Sequence, residues 1–90
     1  MRRIRIRVSG IVQGVGFRFF TRSAARRAGV GGFVRNLPDG SVEAEAQGEE
    51  NELETFIKEI KKGPVSSRVT NVEIENVAPD DRRAGFEIRF

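Results

Sequence analysis

Gly32-Phe33-Val34-Arg35-Asn36-Leu37-Pro38-Asp39-Gly40-Ser41-Val42-Glu43-Ala44-Glu45-Ala46-Gln47 is the stretch whose reading decides the fold. Residues 32–36 make a short strand. Leu37-Pro38-Asp39-Gly40 is a turn, with Pro presetting φ at its second position and Gly free to take φ > 0. From Ser41 to Gln47 the residues alternate, with Val42, Ala44 and Ala46 inward and Glu43 and Glu45 outward. Residues 32–47 therefore predict a β-hairpin.

A helix is predicted on each side of the hairpin. Before it, residues 18–28 place Phe20, Ala24 and Ala28 four apart, with Phe17 one turn earlier, and Arg22, Arg26 and Arg27 on the wet side. Gly29 is a stop. After it, Leu53, Phe56, Ile57 and Ile60 sit at i, i+3, i+4 and i+7. Glu49, Glu50, Glu52 and Glu54 crowd the start of this second helix and Lys58, Lys61 and Lys62 its end, which complements the helix dipole. Gly63 and Pro64 close it.

Strands flank the helices in turn. Residues 3–12 alternate Arg3, Arg5 and Arg7 with Ile4, Ile6 and Val8. Residues 68–77 form another strand, with Val72 and Ile74 two apart. Ala78 to Ala84 reads as a polar loop, and Phe86, Ile88 and Phe90 alternate inward in a last short strand. The order βαββαβ plus a terminal strand predicts an α+β, ferredoxin-like sandwich: an antiparallel sheet with two helices on one face and a short extra C-terminal strand. That plan puts the third strand between the first two, which sets Glu43 and Glu45 beside Arg5 and Arg7. Opposite charges on neighbouring strands contribute roughly 0.2–1 kcal/mol per pair.

Composition bounds the chemistry. Ninety residues, 38% hydrophobic and 32% charged, suit one soluble domain over 1–90. With no Cys and no His, disulfides, a thiolate metal site, a cysteine nucleophile and a histidine general base are excluded. An enzyme built from this chain works with Arg, Lys, carboxylates, amides, hydroxyls and backbone N–H groups. Thirteen of the 16 basic residues are Arg, which suits fork-like contacts to phosphate or carboxylate, although 13 acids nearly balance them. No apolar run approaches the roughly 18 residues of a membrane span. The chain reads as cytoplasmic.

The first and second strands run parallel to each other in this plan, so their C-terminal ends share one edge of the sheet, two strand spacings or about 10 Å apart. One end carries the glycine-bearing loop 12–18 and Arg18; the other carries Asn36. A strand-to-helix junction presents free N–H groups and the positive dipole end, Gly14 and Gly16 allow close approach of the backbone, and Arg18 adds a fork. The same loop is also a plain tight turn with a solvated Arg, and Asn36 is also an ordinary turn residue. The loop is neither a Walker loop, lacking Gly-Lys-Ser/Thr, nor a dinucleotide fingerprint, since Phe19 stands at the third glycine position.

The run Val8-Ser9-Gly10-Ile11-Val12-Gln13-Gly14-Val15-Gly16-Phe17-Arg18 resembles the signature of the acylphosphatase family, and so does Gly32 to Glu43. The resemblance extends through Gly63-Pro64 and Ser67-Arg68-Val69. It implies the same ferredoxin-like fold and hydrolysis of acyl phosphates to carboxylate and inorganic phosphate, without metal or other cofactor. It places the catalytic pair on Arg18 and Asn36 and the phosphate cradle on Gln13, Gly14, Val15, Gly16, Phe17 and Arg18. Phe33 departs from the family's usual Trp while keeping an aromatic. The expected mechanism is direct in-line attack by water, with Asn36 orienting it. The expected partners are small molecules only, with no nucleic acid and no membrane, and a monomer is expected. The competing readings are a non-catalytic domain binding a small anion or carbamoyl phosphate, and an RNA-binding module. The latter is disfavoured because the central strands carry Arg, Ile and Glu where base-stacking aromatics belong.

Overall fold

A computed structural model describes residues 1–80 and 85–90 of the chain. The elements are β1 (Arg2–Ile11), α1 (Phe17–Ala28), β2 (Gly31–Asn36), β3 (Val42–Gly48), α2 (Glu50–Lys62), β4 (Arg68–Val77) and β5 (Phe86–Arg89). They form one five-stranded sheet in the order β4-β1-β3-β2-β5. This is the ferredoxin-like plan, with β3 between β1 and β2. Of the predicted loop 78–84, residues 81–84 lie outside the described residues.

The alternation of β1 and β3 divides the sheet into two faces. Ile4, Ile6 and Val8 of β1 stand opposite Ala46, Ala44 and Val42 of β3. All six are buried with Leu53, Phe56 and Ile60 of α2 and Phe17, Ala24 and Ala25 of α1. The other face is a lattice of charge. Arg5 lies opposite Glu45 and Glu75, and Arg7 opposite Glu43 and Glu73. Arg5 reaches Glu45 at 3.2 Å and Glu75 at 3.0 Å, while Arg35 reaches Glu43 at 2.8 Å. Burial pushes the Glu45 carboxyl up, but hydrogen bonds from Arg3 and Arg5 more than offset it and hold it below the ordinary carboxylate range.

Three expectations need correction. The sheet is mixed, because β5 pairs with β2 in parallel, with Val34 opposite Ile88 and Arg35 opposite Arg89. Phe90 does not point inward: Phe86 and Ile88 pack against the core, whereas Phe90 is 95% exposed. The buried stripe of α1 is Phe17, Thr21, Ala24 and Ala25, while Phe20 and Ala28 lie at its margin. Thr21 fits the stripe because its hydroxyl donates to the Phe17 carbonyl at 2.8 Å, which satisfies the polar atom locally.

Candidate active site

The loop between β1 and α1 is shaped by two glycines. Gly14 and Gly16 have φ of 75° and 77°, the left-handed region that other residues disfavour. A Cβ built on either would meet nothing within 4 Å, so both face open space. Gly16 is the N-cap of α1 and supplies no capping side chain, and no acid stands in the first turn. The first intrahelical bond runs from the Phe20 N–H to the Gly16 carbonyl at 3.0 Å. The N–H groups of Phe17, Arg18 and Phe19 therefore have no acceptor within the helix.

Helix α2 provides the contrast. There Glu49 and Glu52 form a reciprocal capping box, the Glu49 N–H donating to Glu52 Oε1 at 2.8 Å, and Glu50 adds a second acid to the first turn. One helix thus neutralises its positive end with its own carboxylates. The other leaves that end open, beside a glycine-lined space and its own Arg18. Such an end attracts an anion.

Gln13 joins this loop to the hairpin. Its side-chain amide donates to the Leu37 carbonyl at 2.8 Å and to the Ser41 carbonyl at 2.9 Å. The side chain of this expected cradle residue is thus committed to the turn that follows Asn36. The turn is itself braced. Leu37 N–H donates to the Ser41 carbonyl at 2.8 Å. Asp39 Oδ1 accepts from the Ser41 hydroxyl at 2.6 Å and the Ser41 N–H at 2.9 Å, and Asp39 Oδ2 pairs with Arg7. The two bonds from Ser41, reinforced by Arg7, hold the Asp39 carboxyl at about 2 against an ordinary 3.8.

Arg18 is half-buried, and Asn36 at the end of β2 is half-buried as well. Across the sheet, Val8, Val42 and Asn36 are aligned in register, so Asn36 shares the helix-covered face. The Arg18 guanidinium donates to the Arg89 carbonyl at 3.2 Å and lies 4.5 Å from the centre of the Phe90 ring. Because Arg89 stands opposite Arg35, this contact brings Arg18 to the end of β5 that adjoins the end of β2. Arg18, Asn36 and the loop are therefore gathered at one edge of the sheet. Arg35 faces the opposite side, where it pairs with Glu43.

Sequence reasoning missed three contributors: the Leu37 and Ser41 carbonyls, and the end of β5. The hairpin turn hinted at the first two, since Leu37 opens it and Ser41 follows it. The parallel docking of β5 left no local signal. Phe33, in the position of the expected Trp, is buried on the charged face, with the Arg89 guanidinium 3.9 Å from its ring centre. Among the described residues no helix is long and apolar enough to cross a membrane.

Comparison with known proteins bears on this arrangement. The acylphosphatase family model matches residues 4–88. An acylphosphatase of Thermotoga maritima is 52% identical over 80 residues, covering 89% of each chain. One from Oceanobacillus iheyensis is 45% identical over 91 residues, covering both chains completely. The crystal structure of an acylphosphatase from Bacillus subtilis, 38% identical, superposes with a TM-score of 0.95 over the full length of both chains. The uncapped helix end, the glycine-lined loop and the gathered Arg18 and Asn36 thus sit in a chain that belongs to the acylphosphatase family of enzymes.

Proposed function

We propose that the protein hydrolyses acyl phosphates by direct in-line attack of water on phosphorus, with Arg18, Asn36 and the loop 13–18 as its working parts. The observation that carries this reading is the first turn of α1, uncapped, free of acid and open at Gly14 and Gly16. The phosphoryl group sits there. The N–H groups of the loop and first turn and the Arg18 fork take its equatorial oxygens, where charge spreads in a loose transition state. Arg18 is presented for this by Arg89 and Phe90, and Gln13 holds the loop to the hairpin.

The Asn36 carboxamide orients the attacking water. As the water oxygen bonds to phosphorus, the bond from phosphorus to the acyl oxygen breaks and its electron pair leaves with the carboxylate. The water proton passes to a phosphoryl oxygen of the substrate, giving carboxylate and inorganic phosphate. A carboxylate is a good leaving group and needs no general acid, which matches a chain without His or Cys. Positioning and fixed charge supply the rate, and no metal is required.

The test is hydrolysis of benzoyl phosphate by purified protein in excess EDTA. Turnover is expected in the parent, and Arg18→Ala is expected to lose binding and catalysis together. Arg18→Lys should recover little, because an ammonium cannot form the planar fork. Absence of turnover in a folded parent, or full turnover in Arg18→Ala, overturns the proposal.

A further inference from the structure

Arg18, Arg22 and Arg26 recur every four residues along α1, so they are neighbours on its outer surface. Each step is a little over one turn, with a rise of about 6 Å. Like charges at i and i+4 repel, and Arg18 in the first turn opposes the helix dipole, whereas Arg26 in the last turn complements it. Among the described residues, Arg27 has an acidic partner in Glu59 at 3.2 Å, whereas no ion pair forms at Arg22 or Arg26.

The Arg22 guanidinium is nevertheless placed. It lies 5.3 Å from the centre of the Phe19 ring, and Phe19 is 54% exposed. Helix side chains lean toward the N-terminus, and this contact from residue 22 back to residue 19 follows that lean. Helix α1 therefore carries two arginines in similar settings, Arg18 of its first turn on Phe90 and Arg22 of its second turn on Phe19. An aromatic ring covers one flat side of a guanidinium and leaves its N–H edge available to an anion.

We infer that Arg22, extended by Arg26, forms a second anion subsite beside the phosphoryl cradle, and that the enzyme favours acyl phosphates whose acyl group carries a second negative group. The inference rests on the reading of Arg18 and the loop as the phosphoryl site. The phosphoryl group occupies the open end of α1, the acyl group runs outward past Phe19, and its distal phosphate, phosphonate or carboxylate meets the Arg22 fork.

Benzoyl phosphate and 4-phosphonobenzoyl phosphate share the reacting group and differ in the distal charge. The ratio of their kcat/KM values, measured on one sample, cancels the amount of folded enzyme. The parent is expected to favour the phosphono compound by about tenfold or more at low salt, the factor that one charge-assisted fork of about 1.4 kcal/mol supplies. Arg22→Ala is expected to bring the ratio near one and Arg26→Ala to lower it less. Arg27→Ala, off the stripe and already paired, should leave it unchanged. A parent that hydrolyses both compounds equally overturns the subsite while leaving the proposed function standing. A ratio unaffected by Arg22→Ala, or lowered equally by Arg27→Ala, also overturns it, the latter by revealing a diffuse field. A parent that hydrolyses neither compound removes the proposed function and the subsite with it.

Discussion

Replacing Gln13 with Glu tests the tie between loop and hairpin at almost constant volume. In the parent, the amide donates to two carbonyls, at 2.8 Å and 2.9 Å. Both carbonyls have another partner: Leu37 O accepts from the Gly40 N–H and Ser41 O from the Leu37 N–H. Gln13→Ala therefore removes two hydrogen bonds without stranding an acceptor, and at 0.5–1.5 kcal/mol per bond it costs roughly 1–3 kcal/mol. Gln13→Glu costs more at pH 7, because an ionised carboxylate has no donor and faces two carbonyl oxygens. That repulsion raises the introduced carboxyl's pKa in the folded chain above its unfolded value. The penalty is thus full above the folded pKa and shrinks as pH falls through it, when a proton restores one donor. The chain has no Trp or Tyr, so urea unfolding is followed by far-ultraviolet circular dichroism, at pH 7 and pH 4.5. The expected stability order at pH 7 is parent, Gln13→Ala, Gln13→Glu, with the gap between parent and Gln13→Glu narrower at the lower pH. If Gln13→Glu matches the parent at pH 7, or the gap ignores pH, the tie does not hold the loop in place.

Three further outcomes follow from the same geometry. Asn36→Ala should lower turnover by about two to three powers of ten, the cost of one lost electrostatic donor, while inhibition by inorganic phosphate changes little; a collapse of phosphate affinity in the folded variant would falsify the water-orienting role. Gly14→Val and Gly16→Val each place a branched side chain at a positive φ and into the open space of the loop, so both should lose phosphate binding by calorimetry, and full activity in both rules out close approach of the backbone. The Asp39 carboxyl is held at about 2, below its ordinary 3.8, so its contribution to stability is complete above about pH 4 and disappears as pH falls through 2; Asp39→Asn should flatten that part of the acid unfolding profile, and an unaltered profile refutes the assignment.

Much of the fold was legible because its signals are local. The alternation of Ile4, Ile6 and Val8 against arginines, and of Val42, Ala44 and Ala46 against glutamates, gives each strand one apolar face. The matching of Arg5 with Glu45 and Arg7 with Glu43 follows from the strand order alone. The helix ends at Gly29 and Gly63 are legible for the same reason. What was hidden depends on contacts across the chain. Whether Thr21 or Phe20 faces the core turns on a hydroxyl finding the Phe17 carbonyl. The outward turn of Phe90 depends on where β5 docks, which its four residues do not encode by themselves. The loop and Asn36 could be placed on one sheet edge from strand order, but Gln13's bonds to the turn and the seat of Arg18 at Arg89 could not.

The contact between Arg18 and the Arg89 carbonyl joins residues 71 positions apart, whereas each helix needs only its own neighbours. Closing so wide a loop is entropically costly, and contacts of long separation slow folding. On the proposed reading of Arg18, catalysis therefore depends on the final strand pairing with β2, since that pairing supplies the carbonyl on which the guanidinium is seated. Catalysis would thus report on whether two segments far apart in the sequence have met, which the ellipticity of either helix cannot.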